Sequence, residues 1–320
     1  MDNIDSNEKL LAMPPLEVDT DAGLARFADA VQRAHVAPRR RVMPAFAFGR
    51  STRWLAAAAG VVIVATTLTM TGVADSILQI FEAKQFAPVT VTTTDLQTLD
   101  ELGHFGTLTW SAKPQPHPVA SLAQATSETG LPAIAVQVPA SINATPTYGA
   151  MAKTTATFVF DAALARQSAA AIGRTAPPMP AKLDGSTLVF TGGPALIVSY
   201  GSESGGGKAV MIGVAKAPTV GSDGATVSEI QGYLLSQPGV SPALAAQIRA
   251  IGDPATTLPI PIPLGQATTK TVNVHGTTGL FVGDSTGLGS GVLWQQGGLV
   301  YAVGGTLTEA EVLAVANSLK

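Results

Sequence analysis

The chain has no cysteine among its 320 residues, few aromatic side chains (5%) and few charged ones (13%). The first absence excludes disulfides, thiolate metal sites, cysteine nucleophiles and cysteine-held iron–sulfur clusters. The second leaves any core to Ala, Val, Leu and Ile. The third is well under the roughly 25% usual in soluble domains, which points to a membrane segment combined with a domain rich in Ala, Val, Gly and Thr. The net charge is −3, and no basic face is evident beyond one arginine-rich arm, which argues against a nucleic-acid partner. With 33 Gly and 22 Pro along the chain, frequent turns and short strands are expected rather than long helices.

One uncharged run stands out. From Trp54 to Ala74 the sequence reads WLAAAAGVVIVATTLTMTGVA, bounded by Arg53 and Asp75. At 1.5 Å per residue a helix over 54–74 spans roughly 30 Å, the thickness of the hydrocarbon core. Its threonines are tolerated because each hydroxyl can bond to a carbonyl of the preceding turn. Arg39, Arg40, Arg41, Arg50 and Arg53 precede the run, whereas residues 75–95 hold Asp75, Glu82 and Asp95 against Lys84. The positive-inside bias predicts a single-pass plasma-membrane protein, with residues 1–53 cytoplasmic and 75–320 extracytoplasmic. Trp54 stands where an interfacial anchor belongs. Small residues at Gly72-Val73-Ala74 also suit a signal peptidase, but secretory leaders have short N-terminal regions, which favours retention of the span.

Within the cytoplasmic arm, residues 1–20 are polar and acidic and read as disordered. Leu24, Phe27, Ala28 and Val31 make one apolar stripe on a short helix over 21–35. An isolated helix of that length is marginal in water. Leu24, Phe27 and Val31 are therefore candidate contacts for a partner protein, the bland reading being a frayed tail.

Beyond the span the pattern predicts α+β, with a mainly antiparallel twisted sheet and packed helices over 75–320. Residues 75–87 are expected to be helical up to Pro88. Strands are expected near 106–110, 133–138, 155–160, 187–191, 195–200, 208–215, 269–274, 277–283, 291–295 and 299–303, and helices near 95–103, 119–129, 161–172, 226–236, 241–251 and 308–319. Two hairpins are expected, turning at 201–207 and at Gln296-Gly297-Gly298. Thr308 and Glu311 have the spacing of a capping box, with Leu307 and Val312 as a hydrophobic staple.

No catalytic constellation emerges. GSESGGGK at 201–208 lacks the first glycine and the Ser/Thr of a phosphate loop, and a strand follows it. Gly283-Asp284-Ser285-Thr286-Gly287 matches G-x-S-x-G, yet more glycines and another strand follow where a helix is needed. His275 is the histidine nearest to Ser285 in sequence. His35, His104, His117 and His275 show no metal-ligand spacing. The Asp100, Glu101 and His104 group reads best as a helix end. Asn143-Ala144-Thr145 is a formal sequon, and Ala56 and Gly60 a small-xxx-small pair. The chain is thus expected to be non-enzymatic, without metal or cofactor.

The C-terminal run has a more specific pattern. Val274-His275-Gly276-Thr277-Thr278-Gly279, then Trp294 to Val303, then a helix from Leu307 to Leu319 resemble the end of the DUF4367 type of extracytoplasmic domain, most closely over 265–320. Val303 and Ala310 depart from the family pattern. The stretch 121–142 is similar to that family's helix followed by a Pro-containing strand, whereas 175–265 matches poorly. The resemblance implies a bacterial transmembrane regulator, sensor or protein-binding module related to anti-sigma factors. Its partners would be the lipid bilayer, a cytoplasmic regulatory protein such as a sigma factor, and an envelope protein. The absence of cysteine removes the zinc motif of zinc-type anti-sigma domains. The rival reading is an exported ligand- or lipid-binding module tethered to the membrane, with an open apolar groove for its ligand.

Overall fold

Three stretches of alternating β-branched and apolar residues set the architecture. The computed structural model describes residues 77–320 apart from 112–113, 143 and 202–206. It begins with β1 (Leu78–Glu82), β2 (Gln85–Val91), α1 (Thr93–Leu102), β3 (Gly106–Trp110), β4 (His117–Val119) and α2 (Leu122–Thr129). Then come β5 (Thr147–Met151), β6 (Thr154–Phe160), α3 (Ala162–Ala171), β7 (Thr187–Gly192), β8 (Ala195–Tyr200), β9 (Val210–Lys216) and β10 (Thr219–Ser222). Pairs β5–β6, β7–β8 and β9–β10 are each one path interrupted by a two-residue bend, at Ala152-Lys153, Gly193-Pro194 and Ala217-Pro218. On one side of the bends the strands pair as β5·β8·β9, and on the other as β6·β7·β10. Two antiparallel sheets therefore share three strands.

The rest of the chain extends both sheets. After α4 (Val227–Leu235), α5 (Pro242–Arg249) and β11 (Thr257–Pro263) come β12 (Ala267–Val274), β13 (Thr277–Asp284), β14 (Ser290–Gln296), β15 (Leu299–Gly305) and α6 (Glu309–Ser318). The larger sheet has the order β12-β13-β14-β15-β9-β8-β5-β4, the smaller β1-β10-β7-β6-β3, and β2 and β11 form a parallel ribbon. The described residues are thus α+β with mainly antiparallel sheets, as composition and periodicity imply.

The larger sheet is buried on both faces. Val292 and Trp294 of β14 join Ile212, α2 and α6 on one side, with Trp294 stacked on its cross-strand partner Tyr301 at 5.2 Å. Leu293 points the other way, into Leu280, Val282 and the ribbon residues Ile260 and Ile262. The ribbon's outer side, Val89 and Val91, packs on Leu244 and Leu96 of α5 and α1. The smaller sheet has its own core, in which Phe158, Phe160 and Leu188 meet Ala165 of α3 and Tyr233 of α4.

The ribbon also protects its edges. Alternate residues of a parallel ladder turn N–H and C=O toward the partner. Leu264 N–H donates to the Val91 carbonyl and Gln85 N–H to the Thr256 carbonyl, so the even-numbered residues of β11 face β2. Pro259, Pro261 and Pro263 occupy the outward edge, where a missing donor costs nothing. On β2 the outward positions are Phe86, Pro88 and Thr90. The Gln247 side chain of α5 accepts from Thr90 N–H at 2.8 Å and donates to its carbonyl at 3.1 Å, as a neighbouring strand would.

Two sequence expectations are corrected. Residues 78–82 and 85–87 belong to strands β1 and β2, not to a helix over 75–87. Their backbone donors have distant partners, with Glu82 N–H bonding to Ala255, Ala83 to Pro218 and Lys84 to Thr256, while Ile80 and Phe86 pack in two different cores. Tertiary pairing thus overrides local propensity. Residues 133–138 are extended but join no sheet, because Ala135 exchanges both backbone bonds with Lys320 and Gln137 bonds to the Ser318 hydroxyl. The six helices lie within a few residues of their expected places, and β4, β5, β10 and β11 are additional strands.

Helix α6 has the expected capping box, with Thr308 and Glu311 each bonding the other's backbone, and Leu307 and Val312 are both buried. Thr92–Asp95 and Thr226–Glu229 repeat the device on α1 and α4. Hydrogen bonds from Lys208 and then from Thr308 hold the Glu311 carboxyl at about 2, below its usual 4.5. A depressed carboxylate stabilises the fold fully above about pH 4.5 and ceases to as pH falls toward 2. Chemical denaturation is expected to show Glu311→Gln less stable than the parent at pH 7, with the gap closing between those limits. Gln247→Ala is expected to cost about 1 kcal/mol in the same assay, since water can replace only part of the edge pairing at Thr90.

Candidate functional site

Arg39, Arg40, Arg41, Arg50, Arg53 and Trp54, with Leu24, Phe27 and Val31, lie outside the described residues, as does the expected span at 54–74. Among the described residues no helix is long and apolar enough to cross a membrane. The motifs weighed for chemistry do lie in view, except Asn143 of the sequon.

Ser285 sits in the exposed turn between β13 and β14. Asp284 Oδ1 closes that turn by accepting from the Thr286 N–H (3.0 Å) and hydroxyl (2.8 Å) and from Leu288 N–H (3.2 Å). His275 is at the opposite end of β13, roughly 25 Å away at about 3.3 Å per residue. It occupies a tight turn with Gly276, at φ of 52° and 79°. Its Nε2–H donates to the Ala316 carbonyl at 3.0 Å and its backbone N–H to Asn317 Oδ1 at 3.1 Å. The imidazole therefore locks the β12–β13 turn to the end of α6 and does not face Ser285.

The stretch 201–208 joins β8 to β9 as a hairpin connection, with Tyr200 paired to Val210, although 202–206 lie outside the described residues. Lys208 forms an ion pair with Glu311. Near His104, Glu101 is turned away to Arg174 at 3.0 Å. His117 meets Glu128 at 2.7 Å on the surface. Among the described residues no three His, Asp or Glu side chains gather as a metal site.

A crevice lies between α1, the end of α3 and the α4–α5 turn. Arg174 Nη1 donates to Glu101 and, at 3.2 Å, to the Pro238 carbonyl. Gly239, at φ 107°, lies so close that a Cβ there would come within 2.1 Å of that nitrogen. Gln237 is 4% exposed, and its Nε2 donates to the Tyr233 carbonyl while Oε1 has no protein partner. Burial raises the Tyr233 hydroxyl above its ordinary value. The space admits little more than a water molecule. A water bound to Gln237 suits it, and a metabolite does not.

The larger open feature is the outer face of the smaller sheet. On β6, Thr155, Thr157 and Val159 alternate with the core residues Ala156, Phe158 and Phe160. Register places Thr109, Thr157, Val189 and Gly221 in one cross-strand row. Thr155, Thr191 and Thr219 form the next row, and Thr107, Val159 and Thr187 a third. Across β3, β6, β7 and β10 no charged side chain stands on this face, but Glu82 of β1, opposite Thr219, and Asp223, opposite Thr187, stand at its margin. Val159 is 36% exposed, and neither it nor Val189 belongs to any packed apolar cluster. Ile77 overlies one corner: a Cβ on Gly221 would lie 2.5 Å from its Cγ2. Sequence reasoning placed β3, β6 and β7 but neither β10 nor this face. Its only linear signal is threonine at every second position in separate stretches, which strand propensity alone explains.

No family model, no curated protein and no solved structure matches this chain. For the serine motif the expected outcome is plain. A fluorophosphonate probe should leave Ser285 unlabelled, and Ser285→Ala should change stability by no more than about 0.5 kcal/mol in a denaturation assay.

Proposed function

We propose that the chain is a membrane-anchored, non-enzymatic regulatory or protein-binding protein of a bacterial cell envelope, related to the single-pass anti-sigma proteins whose outer domains are of the DUF4367 type. The observation that carries this reading is the charge asymmetry about residues 54–74. Arginines precede the uncharged run, acidic residues follow it, and β1 begins at Leu78. A folded α+β unit thus starts directly beyond a span-length apolar segment. The order of β12–β13 turn, β14–β15 hairpin and closing α6 agrees with the motif order of the resemblance. The tethered ligand-carrier alternative needs an open apolar groove, and the larger sheet, covered on both faces, lends it no support.

Inside the cell the stripe of Leu24, Phe27 and Val31 would meet the partner, a sigma factor being the first candidate. Two measurements test the proposal. Alkaline phosphatase fused after Lys320 should be active in the envelope, and the same fusion before Met1 inactive; the reverse pattern would overturn the topology. A photo-crosslinker at position 27 of the full chain should capture a sigma factor in cells. Capture of lipid alone would remove the regulatory part and leave the anchor.

A further inference from the structure

We propose that the free edge of β12 is a self-pairing site, where a second copy of this chain adds its own β12 antiparallel and continues the larger sheet across a two-fold axis at Thr271. Such pairing needs no membrane and holds for an anchored or a free chain alike.

Sheet edges carry rows of unpaired N–H and C=O groups, and proteins usually blunt them. Most edges of this fold are blunted. β4 has three residues with Pro118 at their centre, and β1 has five, interrupted by a bulge. The ribbon has prolines on one edge and Gln247 against the other. β3 is five residues long and begins with Gly106. β12 has none of these devices. It runs for eight residues, ATTKTVNV, in unbroken register with β13 and without proline or glycine.

The open side of β12 follows from its hydrogen bonds. Asp284 N–H donates to the Gly289 carbonyl, and Ser285 N–H to the Gln266 carbonyl. Even-numbered residues of β12 therefore bond to odd-numbered residues of β13. Ala267, Thr269, Thr271 and Asn273 direct their backbone groups outward, where no described residue meets them. A row of alternating donors and acceptors at strand spacing is matched by another extended strand.

This strand is complementary to itself. With the axis through Thr271, Thr269 faces Asn273 of the second copy, Lys270 faces Val272 and Thr268 faces Val274. The outward residues then fall in the hydrogen-bonded pairs, which gives about six backbone bonds. Thr271 meets Thr271 on the axis, a favourable cross-strand pair. Charge selects this register. An axis through Lys270 pairs as many residues but sets ammonium opposite ammonium, and an axis through Thr269 or Val272 pairs fewer. Lys270 is the strand's single charge, and it is already matched, ion-paired with Glu309 and 5.4 Å from the ring centre of Phe281. Pairing thus brings no unmatched charge to the axis. Val272 and Val274 pack on the α6 side and Ala267 on the ribbon side, so like faces of the two copies lie together. The overlap is smaller than a standard interface, so the pairing is reversible and depends on concentration.

The absence of native cysteine makes the test direct. The full-length chain, purified in mild detergent, carries one fluorophore at Ser285→Cys, in the exposed turn after β13 and away from the edge. Donor-labelled and acceptor-labelled copies are mixed at about 100 μM, where a pairing of low affinity is populated. Energy transfer is expected between parent copies. Thr271→Glu in both copies, or Thr271→Lys in both, is expected to lower it about fivefold, because like charges then stand opposite each other at the axis. Mixing Thr271→Glu copies with Thr271→Lys copies should restore the parent level. Thr271 is exposed, and circular dichroism checks that each variant folds. Absence of transfer between parent copies would overturn the proposal and leave the edge to another extended chain. Transfer undiminished in the like-charge mixtures would place self-association elsewhere on the chain. Loss in every mixture, without rescue by the opposite charges, would overturn the two-fold register at Thr271.

Discussion

Both sheets hang on the coincidence of three bends. Ala152-Lys153, Gly193-Pro194 and Ala217-Pro218 occur at one level across neighbouring strands, so three paths change direction together and their ladders continue on each side. Gly193, at φ 61°, shows why small residues are required there: a Cβ would meet the Met151 methyl at 3.1 Å and the Ala152 carbonyl at 3.2 Å. Everything else attaches to this frame. β12–β15 extend one half and β1 and β3 flank the other. The parallel ribbon covers the face of the larger sheet that α2 and α6 leave open. A bend out of level in any one strand would break register in two sheets at once.

The two sheets serve different ends. The larger is buried on both faces and fastened at its margin, where His275 and Asn317 tie the β12–β13 turn to α6 and Ala135 pairs with Lys320. The smaller has an apolar core on one face and a threonine-rich, partly exposed face on the other. The ribbon between α1, α5 and the larger sheet has most of its outward donors deleted by proline or met by Gln247. The fold thus suppresses unwanted strand pairing along the ribbon and leaves a threonine-lined face on the smaller sheet, with Glu82 and Asp223 at its margin.

Local grammar was legible in the sequence, and long-range pairing was not. Six helices and most strands could be placed because their caps and periodicities are local, as with Thr308–Glu311 or the Gly297-Gly298 turn. β1 escaped because LQIFEAK reads as helix unless Ala255 and Pro218 are known to wait for its donors. β11 escaped because TLPIPIP looks unfit for a ladder. Its prolines are acceptable only because they alternate, a fact that matters once the strand is known to pair on one edge. Residues 133–138 have strand composition but find their partners at the C-terminus, 181 positions away at Gln137–Ser318. The threonine face was invisible for the same reason, since its rows gather residues from 107 to 221 that only register brings together. The serine and lysine–glycine motifs were legible as turns, because each runs directly into a strand.

The edge position of β1 has a mechanical consequence. Any pull on the chain ahead of Ile77 enters the fold through that strand, which is held to β10 by four residue pairs interrupted by a bulge. Behind it, the backbone bonds of Glu82, Ala83 and Lys84 to Ala255, Pro218 and Thr256 form a firmer stop. Under load the four pairs yield before that stop and release about 17 Å of slack at about 3.3 Å per residue, while the larger sheet stays intact. The first strand is in effect a fuse, and tension on the chain ahead of it has a defined place to be spent.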